Sequence, residues 1–570
     1  MSLFYKKSLF LLSFCFFHSV IIYFLLLPLY QSNSIYFPYC LTPFDLCKSY
    51  PLVWSCLKFT YLIFHLLSSF IISNSLYSIL FLRKKVTTQK VFSSEKSSDQ
   101  LQLLIGYTEN HTKYFLPEKG LYQNILVTGT IGSGKTSSAL YPFLKQLLSY
   151  QSSYKLGMLI LDVKGNFYQK VVEFCHSYHR SEDLILIELG GNNTYNPLDK
   201  PHLKPLLLAN RLKTILELFS MHNSDSYWFD KAQDVLMTAI KFCRLYHSNY
   251  VTFSEIHQLV TNPNYYLEKI PFLKKNFLQG NFDKTQCFDL LSCLNFFEKE
   301  FFCLDERVLS ILKSEITRIT NCFISDLDVL NTFSPDSTSI TFSGFKEVLE
   351  NGKIVVLKMN LAEHRNLSKI IAAYLKLDFQ SEVLSQLSKN CIHPSVFICD
   401  EFHEYVTLSD ADFFAQSREA KCINIVATQS YSSLLNTLKD PTAVKTITQN
   451  LVNKLWFRTD DLYTIEEIQK QLGKEDKVKI SKTISENAKE TNYSYLLNAF
   501  TSSGSNLSEG INTYTQNEFI YDTNFFSQKL ETFSCLAFLS NGFSIQPPCK
   551  LSMIPYFKDA PPPHHIISIS

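Results

Sequence analysis

The chain has 570 residues, room for several domains at about 150 residues each, and a net charge of +2. So balanced a charge excludes a protein that coats nucleic acid by bulk electrostatics; any such contact must come from a local surface or from assembly. The 15 cysteines form no C-x-x-C pair, and Cys287, Cys293 and Cys303 lack zinc-ligand spacing. Most cysteines therefore read as small buried apolar residues in a reducing compartment.

Charged residues make up 19% of the chain, below a soluble average of about 25%, and the deficit sits at the N-terminus. Ser8–Tyr30 and Phe59–Leu82 carry no charge. As a helix the second would be about 36 Å long, enough for a hydrocarbon core of about 30 Å. Lys6 and Lys7 precede the first stretch and Arg83-Lys84-Lys85 follow the second. Basic flanks stay in the cytoplasm. Residues 1–85 are thus predicted to form a transmembrane hairpin, with spans at about 8–30 and 59–82 and residues 31–58 outside. This places the protein in the lipid bilayer of the cell membrane (the inner one where there are two), multi-pass, with both termini cytoplasmic. A cleaved signal peptide fits less well, because Leu27-Pro28-Leu29-Tyr30 offers no small-residue cleavage site. A buried helical hairpin in a soluble core fits less well too, since both stretches exceed core-helix length. His18 and His65 fall within the spans and read as facing the partner helix or an interface. Cys40 and Cys47 fall in the outer loop, where a disulfide depends on the compartment.

Residues 86–100, rich in Ser and Lys, read as a linker, and 101–251 as the first part of a nucleotide-binding domain. Leu101–Tyr107 and Lys113–Leu116 are predicted strands, and Gln123–Thr128 is a third, buried one. It runs into Gly129-Thr130-Ile131-Gly132-Ser133-Gly134-Lys135-Thr136, a G-x-x-x-x-G-K-T loop, which a helix over Lys135–Tyr150 follows. Glycines let the backbone N–H groups turn toward phosphates, and the helix N-terminus adds positive potential. Lys135 supplies a point charge for the β- and γ-phosphates, and the Thr136 hydroxyl is a ligand for Mg²⁺. The expected cofactors are ATP and Mg²⁺.

Gly157–Asp162 and Leu184–Leu189 are further predicted strands, with helical patterns between; that alternation predicts a mostly parallel sheet. Asn196–Asp199 reads as a turn. Over 252–343 the strand signal fades and helical patterns take over, as at Ser254–Val260, Cys287–Phe297 and Glu306–Phe323, which predicts an inserted all-α domain. Strands resume at Lys353–Lys358 in a second nucleotide-domain part, 344–545.

There Ser395–Cys399 ends in Asp400-Glu401. Asp400 suits a role at Mg²⁺ and Glu401 suits activation of the attacking water. Ile423–Thr428 ends in Gln429, placed for the γ-phosphate or the water. Arg418, eleven residues earlier, is either an arginine finger for a neighbouring subunit or a solvated surface residue; the residues alone favour the second. Lys454–Arg458 and Cys535–Ser540 are the last predicted strands, and 546–570, with Pro561-Pro562-Pro563, reads as a flexible tail.

Taken together, the motifs resemble those of the type IV secretion coupling proteins, the TraG/TraD-type conjugative DNA transfer ATPases of the FtsK/HerA-like P-loop superfamily. The resemblance rests on GTIGSGKTSSALYPFL (Gly129–Leu144), LILDVKGNF (Leu159–Phe167), TYNPLD (Thr194–Asp199), SYWFDKAQDVL (Ser226–Leu236), FICDEFHEY (Phe397–Tyr405), IVATQS (Ile425–Ser430) and the stretch Asn450–Gly473. Val163 and Asn166 stand where the family has Pro and an acid, and Glu419-Ala420-Lys421-Cys422 lacks the family's basic and glycine character.

The resemblance implies a RecA-like motor with an inserted all-α domain that takes part in substrate recognition, working as a membrane-tethered hexameric ring. It implies partners too: relaxase-bound single-stranded DNA or a secreted protein substrate, and the components of a type IV secretion channel. It also turns Arg418 toward the finger role, so that Lys135, Glu401, Arg418 and Gln429 form the implied catalytic set. The function so implied is an ATPase that couples substrate to the channel. Two alternatives stand beside it: a nucleotide-switched receptor or scaffold that does not pump, and an FtsK-like DNA translocase. The latter usually carries a C-terminal winged-helix module, for which nothing after Gly542 is long enough.

Overall fold

The computed structural model describes residues 101–150, 154–162, 165, 167–219, 226–359, 361–388, 392–486, 491–494, 499–502 and 507–558, with scattered positions between 15 and 72. The chain divides into two units, Met1–Lys96 and Ser97–Ser570. In the first unit the described positions are mostly helical, and Leu52, Phe59, Leu67 and Ile71 are exposed. No helix among the described residues is long and apolar enough to cross a membrane. This finding contradicts the expected multi-pass membrane localisation. The expected spans at 8–30 and 59–82 lie almost wholly outside the described residues. So do the Cys40–Cys47 loop, His18, His65, the 86–100 linker, Val163, Asn166 and the tail from 559 onward.

The second unit contains β1 (Gln102–Tyr107), β2 (Lys113–Pro117), β3 (Ile125–Thr128), β4 (Gly157–Leu161), β5 (Leu184–Glu188), β6 (Ile354–Lys358), β7 (Ser395–Cys399) and β8 (Cys422–Thr428). It continues with β9 (Asn453–Phe457), β10 (Lys474–Glu486), β11 (Thr491–Ser494), β12 (Ala499–Ser502), β13 (Leu507–Phe519), β14 (Ser534–Phe538) and β15 (Cys549–Ser552). Eleven strands form one sheet in the order β2-β1-β15-β14-β9-β3-β8-β7-β4-β6-β5. From β9 to β5 all pairings are parallel; the β2-β1-β15-β14 edge joins β9 antiparallel.

The central strands are short apolar runs, as expected for a sheet covered on both faces. All four residues of β3, all five of β7 and all seven of β8 are buried. Successive side chains go to opposite layers. Ile125 and Val127 join Phe143, Leu144 and Leu147 in one layer. Leu126 joins Leu159, Phe397 and Val426 in the other, which continues into the helices Pro205–Phe219 and Ser226–Tyr246.

Among the described residues only helices lie between β5 and β6. Two of them start on reciprocal caps, Thr252 with Glu255 and Asp283 with Gln286, which satisfy backbone donors that the first turn leaves open. Phe253 and Phe323 stack at 3.9 Å and Phe242 packs against Tyr266 and Phe297, so aromatic burial holds this layer together.

Nothing in the residue pattern predicts the long hairpin of β10 and β13, paired from Lys474↔Phe519 to Glu486↔Leu507. Lys477, Lys479 and Ser481 alternate with residues of mixed polarity, so no buried face announces it. Val478, Ile480 and Ile511 are exposed on it.

Candidate nucleotide-binding site

The loop 129–136 leaves the C-terminal end of β3 between β8 and β9. Both neighbours hold it: the Gly129 N–H donates to the Thr428 carbonyl at 3.4 Å, and the Thr130 N–H to the Arg458 carbonyl at 2.9 Å. Gly132 and Gly134 have φ of +78° and +97°, a region that side-chain-bearing residues rarely enter. The Lys135 ammonium curls back to donate to the carbonyls of Gly129 and, at 3.2 Å, Thr130. One π-helical turn, Thr136–Leu140, runs without a break into the helix Tyr141–Ser149, and Pro142, which has no N–H to give the preceding turn, stands at the junction.

The acids arrive on β7. Asp400 and Glu401 are 2% and 4% exposed. The Thr136 hydroxyl donates to Asp400 Oδ2 at 2.9 Å, across 264 residues of sequence. The Asp400 N–H donates to the Leu161 carbonyl, and the Glu401 N–H to Asp400 Oδ1 at 2.9 Å. Glu401 sits in the left-handed region, φ +50° and ψ +47°, which costs a non-glycine residue on the order of 1–3 kcal/mol and is retained where surroundings enforce it.

Between β3 and β7 runs β8, so Gln429 at its end emerges beside the loop. It lines a cavity of about 530 Å³ together with Thr130, Ile131, Arg458 and Asp460. Ile131, at the loop tip, is exposed.

His403 is a site neighbour that the sequence reading did not single out. Its Nδ1 lies 3.3 Å from Thr428 Oγ1 and 3.7 Å from Glu401 Oε2. Burial holds its imidazole below the ordinary pKa, against the opposing pull of Glu401 and Glu404. Its only sequence signal is adjacency to Glu401.

Two more missed residues are far along the chain. The Phe533 N–H donates to the Ser133 carbonyl at 3.2 Å, and the Tyr556 N–H donates to the Ser137 carbonyl at 2.9 Å. No sequence motif points to either.

Arg418 is not brought to this site. It is exposed, in the turn before β8, and its Nη2 lies 3.4 Å from the Gly542 carbonyl. Gln429 follows β8 and Arg418 precedes it, so the two lie at opposite ends of that strand, about 20 Å apart along it.

Asp162 caps another helix of this edge, accepting from the Phe167 N–H at 3.0 Å.

Residues 394–513 match the family model described as the TraM recognition site of TraD and TraG. That segment holds Asp400, Glu401, Arg418 and Gln429, and not the loop. The chain resembles the TraG/TraD-type coupling proteins. No curated protein matches it significantly. Solved structures of the bacterial conjugative coupling protein TrwB share its fold. The unbound TrwBdeltaN70 matches at TM-score 0.53 and 13% identity, covering 81% of this chain and 89% of that one. The plasmid coupling protein TrwB with ADP and Mg²⁺ matches at 0.52 and 12% identity, covering 81% and 90%. TrwB with the GTP analogue GDPNP matches at 0.51 and 14% identity, covering 77% and 87%. The common architecture is an α/β fold with a mostly parallel sheet.

Proposed function

We propose that this chain is a coupling ATPase that brings relaxase-bound DNA or an effector protein to a type IV secretion channel, working as a ring of six subunits. The observation that carries the reading is the Thr136–Asp400 contact at 2.9 Å, which joins the phosphate loop to the acid of a distant strand.

The residues present fit Mg·ATP. Positive φ at Gly132 and Gly134 opens the loop backbone, and the Lys135 ammonium rests on loop carbonyls where phosphate oxygens would compete for it. Thr136 and Asp400 supply the oxygen donors for Mg²⁺. Mg·ATP, when bound, supplies the phosphoanhydride whose cleavage powers the cycle. Glu401 holds and accepts a proton from water, Gln429 orients that water, and His403 lies beside the Glu401 carboxylate on the Thr428 side. Arg418 acts across a subunit boundary, since its own loop lies at the other end of the parallel strands. The helices between β5 and β6, read as an inserted domain over 252–343, take part in substrate recognition. The TrwB structures with GDPNP and with ADP and Mg²⁺ support the cofactor part of this reading, and the 394–513 match supports the partner part.

The test is ATP hydrolysis by the full chain with and without single-stranded DNA. Turnover that DNA stimulates and Glu401→Gln abolishes supports the motor. Nucleotide binding without turnover in either condition sinks it, and substrate transfer that survives Glu401→Gln would favour a nucleotide-switched scaffold.

A further inference from the structure

A second cavity, of about 480 Å³, lies against β9 and is walled by the helices Tyr431–Leu438, Pro441–Asn450 and Leu462–Leu472 and by the end of β14. Its walls are largely apolar, with Val444, Val452, Phe538 and Ile545. Lys454 of β9 reaches into it and is only 4% exposed. Among the described residues the Lys454 ammonium has neither an ion pair nor a hydrogen bond; the Phe538 ring centre, 6.0 Å away, faces it. Burial alone draws its pKa down to about 8.

The other titratable groups at the wall are Tyr431, Lys445, Tyr463, Glu467 and Lys470. Glu467 is paired with Lys470 at 3.0 Å and does not serve Lys454. The Tyr463 hydroxyl is buried without a hydrogen-bond partner among the described residues. The Tyr431 hydroxyl accepts from the Trp456 indole N–H at 3.1 Å and keeps its own proton to give. Three lysines against one glutamate leave the lining at +2. A buried cation and two phenols with no acceptor form a built receptor for an anion.

We propose that this cavity binds a small organic monocarboxylate with an apolar body, its carboxylate on Lys454 Nζ and the Tyr463 and Tyr431 hydroxyls. The volume suits a small molecule and the walls suit an aromatic or branched aliphatic body. One buried cation matches one negative charge; a dianionic head would leave a charge uncompensated in an apolar surround. The site is separate from the nucleotide loop and the proposal does not depend on the ATPase reading. The two still share a strand: Lys454 is the register partner of Leu126 in β3, and four residues on, the Arg458 carbonyl holds Thr130.

The test is calorimetric titration of the full chain with phenylacetate, and with phenylacetamide as its uncharged counterpart, in wild type, Lys454→Met and Tyr463→Phe. Phenylacetate should bind wild type, and at least about tenfold more weakly after Lys454→Met. Tyr463→Phe, which leaves the ammonium in place, should weaken it severalfold. Affinity should fall as pH rises past about 8, where the ammonium loses its proton. Thermal melts check that the variants are folded. Absence of phenylacetate binding to wild type, equal binding by folded Lys454→Met, or equal binding of the amide would each overturn the proposal.

Discussion

The ring of Phe533 stands where a β-carbon on Gly134 would have to be: the Cδ1 atom lies 2.5 Å from that position. The two residues are also linked through the backbone, since the Phe533 N–H donates to the Ser133 carbonyl. Phe533 itself holds φ at +65°.

Gly134→Ala is therefore expected to fail twice, by collision with Phe533 and by strain at φ +97°. A loss of about 2 kcal/mol or more in stability is expected, read by urea unfolding, together with loss of fluorescent-nucleotide binding. Adding Phe533→Ala should relieve the collision and leave the backbone strain. The double variant then regains part of the stability and little of the binding.

Opposite ends of β8 hold Arg418 and Gln429, and this yields a complementation test. Arg418→Ala should leave nucleotide affinity of a lone subunit intact and lower turnover by about 10³-fold. Glu401→Gln should lower it by about 10²-fold or more. Mixed rings of the two variants should recover measurable ATPase, because some interfaces then pair an intact Glu401 with a neighbour's intact Arg418. Mixtures as inactive as either parent would remove Arg418 from the site.

The phosphate loop, Asp400-Glu401 and Gln429 could be proposed from sequence because each is a local word: a few residues at the end of an apolar strand. The parallel sheet was legible from runs such as Val396–Cys399, which carry their burial in their composition. Phe533 and Tyr556 were not, because a ring against a glycine some 400 residues earlier leaves no periodic trace in the sequence. Lys454 was hidden for another reason. It sits inside a strand between Asn453 and Leu455, where a lysine looks like an exposed position, and only the closure of three helices over it makes it buried.

That burial has a pH signature. The folded value of about 8 lies below the ordinary 10.5, so the unfolded chain binds more protons between them and stability rises with pH across that window. Below about pH 8 the full penalty applies. Lys454→Met should therefore raise stability by on the order of 3 kcal/mol at pH 7, with the gain shrinking as pH approaches 10.5. Unfolding midpoints at pH 7, 9 and 10 measure it; a gain independent of pH would contradict a buried ammonium.

The pKa of Asp378 is also depressed, so stability again rises with pH, but here the charged form stabilises the fold. Burial by itself would raise its pKa, but Lys200 at 3.1 Å and Arg211 at 2.7 Å outweigh burial and lower it. Its contribution is present at neutral pH and is lost as pH falls through the depressed folded value. Asp378→Asn leaves two buried cations short of a counter-charge and is expected to cost about 3–5 kcal/mol at pH 7. The cost should diminish in acid, as urea midpoints at pH 7 and pH 3 will register.

The hold that Phe533 and Tyr556 keep on the phosphate loop sets a condition on synthesis. The loop leaves the ribosome early, yet its braces are among the last residues of the sheet to emerge. A nascent chain that ends before Phe533 carries the loop without these two braces. The backbone around Ser133 and Ser137 is thus fully braced only once the chain extends through Tyr556.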